Sequence, residues 1–361
     1  MFGRVRRIHL VGIGGTGMCG IAEVLLSLGF SVTGSDLGST EVTDRLKAAG
    51  ARIAHDHRSP LVLDADVVVV STAIEQGNPE VLAARARSIP VIRRAEMLAE
   101  LMRMKRGIAV GGSHGKTTVT SMAAGVLIEG GLDPTVVVGG RVKRLGTNAR
   151  VGAGDTMVAE ADESDGTFLR LQPTIAIITN IDREHVDFYA SLEDTFEAFV
   201  LFANGVPFYG AVVLCLDDAN TQAVVPRIER RIVTYGLEPG ADLMAREVQP
   251  IRGGSRFELL WHGDSLGSCR LAVPGKHNIA NALAAATVGL ELGIEAGDII
   301  RGLEAFDGVG RRLERRGESR GVVVYDDYAH HPREIEATLK AVREQWSGRV
   351  VAVFQPHRFS R

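Results

Sequence analysis

"GGSHGKTT", residues 111–118, decides the fold. An apolar run, "GIAVGG" (107–112), leads into it, and "KTTVTSMAAGVLIEGG" (116–131) leads out with helical spacing and a glycine stop. A strand, a glycine loop and a helix in that order make the phosphate-binding unit of an α/β sheet. Gly111, Gly112 and Gly115 free the backbone N–H groups to wrap a phosphate. Lys116 supplies a point charge for the β- and γ-phosphates, and Thr117 offers a hydroxyl to Mg2+. Ser113, His114 and Thr118 complete the loop as nucleotide contacts. The stretch departs from G-x-x-x-x-G-K-[ST], because Val110 stands where that pattern has its first glycine. A chance G-K-T at a helix start would carry the same letters, but it would not need the strand before and the helix after.

A second glycine loop lies upstream. "VGIGGTGMCG" (11–20) contains G-x-G-x-x-G, after the strand-like "RIHLVGIG" (7–14) and before the helical "GMCGIAEVLLSLG" (17–29). Gly12 allows the tight turn and Gly14 the close approach of a diphosphate. Gly17 lets the helix pack near the strand, and Gly15 and Thr16 sit where the helix N-terminus meets the anion. Asp36 lies about 20 residues on, at the end of the strand "SVTGSD" (31–36), where a ribose acceptor belongs. A nicotinamide site, another diphosphate ligand, and a plain glycine turn packing helix on strand all remain open on these residues alone.

Downstream of 118, acids and histidines follow strand-like runs. "VAEADESDGTF" (158–168) places Glu160, Asp162, Glu163 and Asp165 within six residues. Acids so crowded repel one another, and a cation relieves that. Glu160 can hold Mg2+ directly or through water. Otherwise these are solvated acids at a strand end. "TNIDREHVD" (179–187) offers His185 as a ligand for a second divalent ion, or as a surface residue. "GKHNIANALAAA" (275–286) sets Asn278 and Asn281 one turn apart, so two amides can read an adenine edge, unless Asn278 is only a helix cap. "GRRLERRG" (310–317) carries Arg312, either a solvated charge or a cation reaching the γ-phosphate. "DDYAHHP" (326–332) gathers Asp326, Asp327, Tyr328 and His330 after a strand. "QPHRFSR" (355–361) adds Arg358 and Arg361, a pair able to clamp a carboxylate.

The 361 residues suffice for two or three domains. Hydrophobic residues are 45% against only 5% aromatic, with 42 glycines, which fits α/β units with Ala/Val cores and glycine turns. A net charge of −3 offers no broad basic surface for nucleic acid or membrane. Cys19, Cys215 and Cys269 are scattered without metal spacing, which predicts a reducing, cytoplasmic compartment. No run approaches the roughly 20 apolar residues of a membrane span.

The helical "RAEMLAELMRMKRG" (94–107) closes the first series of βα units. The expected division is residues 1–107, 108–310 and 311–361. Within the second unit, 241–273 alternates and predicts antiparallel strands. In the third, "GVVVYDDYA" (321–329) and "GRVVAVFQPHRFSR" (348–361) read as strands around the helix "PREIEATLKAVREQW" (332–346). Two strands and one helix are few for a stand-alone domain, so the third unit is expected to be cut short.

Eleven stretches in this order resemble the Mur ligases. They are "HLVGIGGTGMCGIAEVL", "GSD", "RRAEMLAELMR", "GGSHGKTT", "GGR…GTNAR", "VAEADESDGTFL", "TNIDREHVD", "KHNIANALAA", "GRRLE", "DDYAHHP" and "FQPHRFSR", from residue 9 to 361. The resemblance implies an α/β fold of three domains. These are an N-terminal Rossmann-like domain for a UDP-sugar, a central ATPase domain, and a C-terminal Rossmann-like domain for the amino acid. It implies an ATP-dependent ligase of peptidoglycan precursor synthesis, joining L-alanine to the lactoyl carboxylate of UDP-N-acetylmuramate through an acyl phosphate. The first loop would then hold the sugar diphosphate, with no nicotinamide. By the same resemblance Lys116 and Thr117 hold ATP phosphates, and Glu160 and His185 hold Mg2+. Asn278, Asn281 and Arg312 reach ATP, Asp326 or Asp327 its ribose, and Tyr328, His330, Arg358 and Arg361 line the amino-acid pocket. Ser113 stands where Thr is commoner. A related ligase that attaches a recycled tripeptide to the same sugar shares most of these stretches, though it tends to carry Tyr at the position of Ser164. A fragment that only binds its ligands is the remaining alternative.

Overall fold

The computed structural model describes residues 3–71, 73–139 and 149–356. They form three sheets. The first holds β1 (Arg7–Val11), β2 (Ser31–Ser35), β3 (Arg52–Ala54), β4 (Val67–Val70) and β5 (Val91–Arg93), all parallel, in the order β3-β2-β1-β4-β5. Helices α1 (Thr16–Ser27), α2 (Glu41–Ala48), α3 (Pro79–Ala86) and α4 (Arg94–Met102) connect and flank it. The strands are short runs of Val, Ile and Leu because both faces are covered. Ile8, Leu10 and Val69 are fully buried.

The second sheet has ten strands. They are β6 (Arg106–Gly111), β7 (Thr135–Val137), β8 (Ala149–Arg150), β9 (Thr156–Glu160), β10 (Ile175–Ile178), β11 (Ala211–Cys215), β12 (Ile232–Gly236), β13 (Leu243–Ile251), β14 (Gly254–Trp261) and β15 (Asp264–Leu271). Their order is β15-β14-β13-β12-β11-β10-β6-β9-β7-β8. The expected alternation over 241–273 is the antiparallel run β13-β14-β15. Around the sheet lie α5 (Lys116–Glu129), α6 (Leu192–Asn204), α7 (Ala219–Val224), α8 (Lys276–Glu291) and α9 (Ala296–Glu304). Every residue of α5 from Thr118 to Leu127 is buried, so this helix has no solvent face.

Both glycine loops sit where a sheet reverses its winding. β1 lies between β2 and β4, and β6 between β9 and β10. The chain leaves these strands toward one side and later returns on the other, which opens a crevice at their carboxyl ends.

The third sheet pairs β16 (Glu314–Ser319) with β17 (Val322–Asp326), antiparallel, ahead of α10 (Pro332–Gln345). One expectation fails here. Residues 348–356, the described part of the stretch read as a strand over 348–361, join no sheet, and Val351, Val353 and Phe354 are exposed. An apolar run becomes a strand only with a neighbour to share its ladder. Among the described residues β17 is paired on one edge alone, with β16, which was read only as a basic run.

Asp66 fastens the start of the first sheet. Its carboxylate accepts from the backbone N–H groups of Arg6 and Arg7, both at 2.8 Å, and from the Arg7 guanidinium at 2.7 Å. The Arg7 side chain and then those amides hold its carboxyl down to about 2. A depressed folded pKa stabilises above the unfolded value of about 4 and is lost as pH falls through the folded one. Thermal unfolding is therefore expected to show a stability drop between pH 4 and pH 2 that is smaller in Asp66→Asn. An identical acid profile for the two proteins would contradict this.

Candidate functional site

The phosphate loop leaves β6 at Gly111 and enters α5 at Lys116. Gly112 and Gly115 have φ of +119° and +85°, a backbone that only glycine adopts freely. The loop is strapped to residues 179–182. The Ser113 N–H donates to Asn180 O at 3.0 Å, and the His114 N–H to Asn180 Oδ1 at 2.8 Å. Thr179 Oγ1 donates to His114 O at 2.6 Å, and the Asp182 N–H to Ser113 Oγ at 2.8 Å. Ser113 thus keeps the accepting hydroxyl expected of a Thr. Thr179, Asn180 and Asp182 lie in a quoted stretch of which only His185 had been singled out.

Lys116 Nζ donates to Gly112 O at 2.6 Å and to Glu163 Oε1 at 2.8 Å. Burial would lower its pKa, but Glu163, Asp162 and Glu160 outweigh that and hold it above its usual value. The ammonium is therefore charged and aimed along the loop. Burial also pushes the Glu160 carboxyl up, against the opposing pull of the Gly139 N–H, Thr117 and Lys116. The Gly139 N–H donates to Glu160 Oε1 at 2.8 Å.

His185 has φ +53°, uncommon for a residue with a side chain and most often found where local structure overdetermines it. Its Nε2 lies 3.5 Å from Glu163 and 3.8 Å from Glu184. The three expected metal ligands therefore fall in two stations beside Lys116. Glu160 stands with Thr117, and His185 with Glu163 and Glu184.

One cavity is lined by this loop, and a second is lined by Glu160 beside it. The larger, about 370 Å3, is lined by His114, Gly115, Thr118, Asn278, Asn281, Arg312 and Asp327. Asn278 is not the cap of α8. That position is Gly275, and Asn278 turns its amide back to Pro274 O at 2.8 Å. Asn281 Nδ2 reaches Asn278 Oδ1 at 3.4 Å. Of the two acids considered for the ribose, Asp327 faces this cavity, whereas Asp326 pairs with Arg311 at 3.6 Å. Asp327 accepts from the Leu313 and Ala329 N–H groups, both at 2.7 Å, and burial raises its carboxyl. Tyr328 lies under Arg311 and Arg312, with guanidinium-to-ring distances of 4.9 and 5.7 Å, and His330 Nδ1 is 2.9 Å from Tyr328 O. Arg358 and Arg361 lie outside the described residues.

The smaller cavity, about 270 Å3, lies between the first glycine loop and β9. Gly15, Gly17, Arg94, Gly139, Glu160 and Asp162 line it. Asp36 closes the first loop by accepting the Gly14 N–H at 2.8 Å, and Thr16 opens α1. Arg94 packs on Gly17, where even a Cβ would come within 2.7 Å of its guanidinium, and reaches Asp162 at 3.4 Å. Arg94 was missed as a site residue, although it begins the quoted "RAEML".

Family models match three consecutive parts of the chain. They are the Mur ligase family catalytic domain over residues 7–106, the Mur ligase middle domain over 110–289, and the Mur ligase glutamate ligase domain over 311–359. The chain belongs to the Mur ligase family. It is 55% identical to a UDP-N-acetylmuramate–L-alanine ligase of Syntrophus aciditrophicus over 99% of this chain and 75% of that protein. It is also 55% identical to one of Desulfosudis oleivorans, over 100% and 79%. A solved UDP-N-acetylmuramate–alanine ligase from Thermotoga maritima superposes with a TM-score of 0.82 at 32% identity, over 95% of this chain and 78% of that one. The Mur ligase architecture accounts for the two crevices, and the ATP dependence of the family for the phosphate loop. All three cysteines are buried and none forms a disulfide, and among the described residues no helix is long and apolar enough to cross a membrane.

Proposed function

We propose that this Mur ligase joins L-alanine to the lactoyl carboxylate of UDP-N-acetylmuramate at the expense of ATP. The observation that carries the reading is a pair of cavities, one lined by the phosphate loop and one by the first glycine loop and Glu160. Residues 1–107 hold the UDP-sugar, 108–310 hold ATP, and 311–361 supply the amino-acid side. A carboxylate is inert to amines until it carries a good leaving group, so an acceptor must meet the γ-phosphate. Glu160 links the smaller cavity to the phosphate loop. It lines the smaller one, and Thr117, next to the larger, holds it.

Each residue has a task in that reaction. Gly12, Gly14, Gly15, Thr16 and Gly17 present the N-terminus of α1 to the sugar diphosphate, with the loop shaped by Asp36. Arg94 faces the same space and neutralises that diphosphate. The backbone from Gly112 to Thr118 wraps the triphosphate, and Lys116 takes up charge as the γ-phosphoryl moves. Asn278 and Asn281 border the adenine, Asp327 the ribose, and Arg312 the phosphates. Tyr328 and His330 border the amino acid, with Arg358 and Arg361 for its carboxylate.

The side chains also fit Mg2+. Thr117 offers a hydroxyl, Glu160 a carboxylate that burial leaves short of countercharge, and His185 a ring nitrogen among acids. When bound, the ion shields the triphosphate oxygens and polarises the γ-phosphorus. Each of these residues also keeps its position through protein partners of its own.

Phosphate release from ATP tests the function. It should require both UDP-N-acetylmuramate and L-alanine. Release driven instead by a tripeptide, or by neither acceptor, would refute the reading, as would tight NAD(P)H binding at the first loop. Arg94→Ala is expected to raise the KM for UDP-N-acetylmuramate by about tenfold or more, the scale of a lost charged hydrogen bond. The KM for ATP should change little. A matching rise in both would place Arg94 in general stability rather than in sugar binding.

A further inference from the structure

The junction between the phosphate loop and α10 gathers side chains of which only His114 was expected to touch nucleotide. A ring nitrogen of His114, a ring nitrogen of His331 and a carboxylate oxygen of Glu184 all lie within 4.8 Å of one another. They come from three distant segments, and the two rings stand 4.9 Å apart, centroid to centroid. Asp182 Oδ2 lies 3.2 Å from His114 Nε2 and 3.5 Å from His331 Nδ1.

We propose that His114, His331 and Glu184 form a binding site for a borderline divalent ion of the Zn2+ type, with Asp182 beside it. The site lies beside the Mg2+ positions at Thr117, Glu160 and His185 and borders the cluster around His185 through Glu184. Two imidazoles with carboxylates are the donor set of zinc, whereas Mg2+ prefers oxygen throughout.

Two features support it. Glu334 Oε1 lies 3.2 Å from His114 Nδ1, the outer carboxylate that fixes a ligand imidazole so that its other nitrogen faces the ion. His331 Nδ1 is buried and makes no hydrogen bond, although its ring is turned into the cluster. Asp182, paired with Arg333 at 3.1 Å, also bonds the His114 nitrogen that would face the ion, and it gives up that bond when the ion enters. An ion here ties the loop at 113–115 to the loop at 182–185 and to the N-terminus of α10.

Titration of the full chain with Zn2+, without nucleotide, against a chromophoric chelator tests the site. One ion per chain is expected, retained in millimolar Mg2+. His331→Ala should weaken it at least tenfold, while His330→Ala and His185→Ala leave it intact. Co2+ should give the visible absorption of a four-coordinate site in the parent protein and lose it in His331→Gln, whose folding is checked by circular dichroism. Binding unaffected by either His331 variant overturns the proposal. So does a loss that follows His185→Ala, which would assign the ion to the cluster around Glu163.

Discussion

Lys116→Met is expected to lower ligation by about 10³-fold or more, the scale on which a charge facing a transferring phosphoryl group acts. The same substitution should also destabilise the central domain, and the two effects are separable. Glu163 is only 2% exposed, and Lys116 answers its charge at 2.8 Å. Removing the ammonium alone strands a buried carboxylate, at a cost of about 3 kcal/mol. The Lys116→Met/Glu163→Gln double variant removes both charges and should recover most of the thermal stability while remaining inactive. Phosphate release and calorimetry together check this. A double variant as unstable as the single one would mean that the ion pair is not what holds the loop. Substantial turnover by Lys116→Met would remove Lys116 from the chemistry.

Much of that machinery is legible because it is local in sequence. The strand–loop–helix order around 111–118 is written in consecutive residues. So are the acids after β9 and the amides that open α8. What local spacing does not encode is contact between segments. Glu334 reads as an ordinary first-turn acid of α10, yet its carboxylate meets His114, 220 residues upstream, and Arg312 at 3.6 Å. Arg94 likewise reads as a helix start, and its packing on Gly17 comes from the way α4 returns across α1.

The missed elements have different causes. β3 and β5 are three residues each at the two edges of the first sheet, too short to show a period. α6 carries a readable signal. Ser191 caps it reciprocally with Asp194, and Thr195, Ala198, Phe199, Phe202 and Ala203 are buried at helical spacing. A reading led by chemical motifs passes over it because it holds none. The apolar run after α10 shows the converse. Its composition suits a strand, but composition supplies no partner for its backbone.

Gly112→Ala is expected to be the most damaging of three glycine substitutions, and the graded series shows why. At φ +119° an added Cβ would overlap Thr179 Oγ1 and stand 2.8 Å from Thr179 N and 3.0 Å from Asn180 O. Neither neighbour can retreat easily. The Thr179 N–H donates to Gly111 O at 3.1 Å, and Asn180 O receives the Ser113 N–H at 3.0 Å. Relieving the clash breaks the strap that shapes the loop, so the expected loss is about 3 kcal/mol or more. Gly131 also has positive φ, +76°, but nothing lies within 4 Å of its Cβ position. Gly131→Ala should cost only the backbone strain, about 1 kcal/mol. Gly38 has neither positive φ nor a close neighbour, and Gly38→Ala should leave stability within about 0.5 kcal/mol of the parent. Calorimetric unfolding of the three variants should reproduce that order, and ATP binding should fail only in Gly112→Ala. A Gly112 variant no worse than Gly131→Ala would show that the loop moves freely over residues 179–180. It would then need another account of how the phosphate loop keeps its shape before nucleotide arrives.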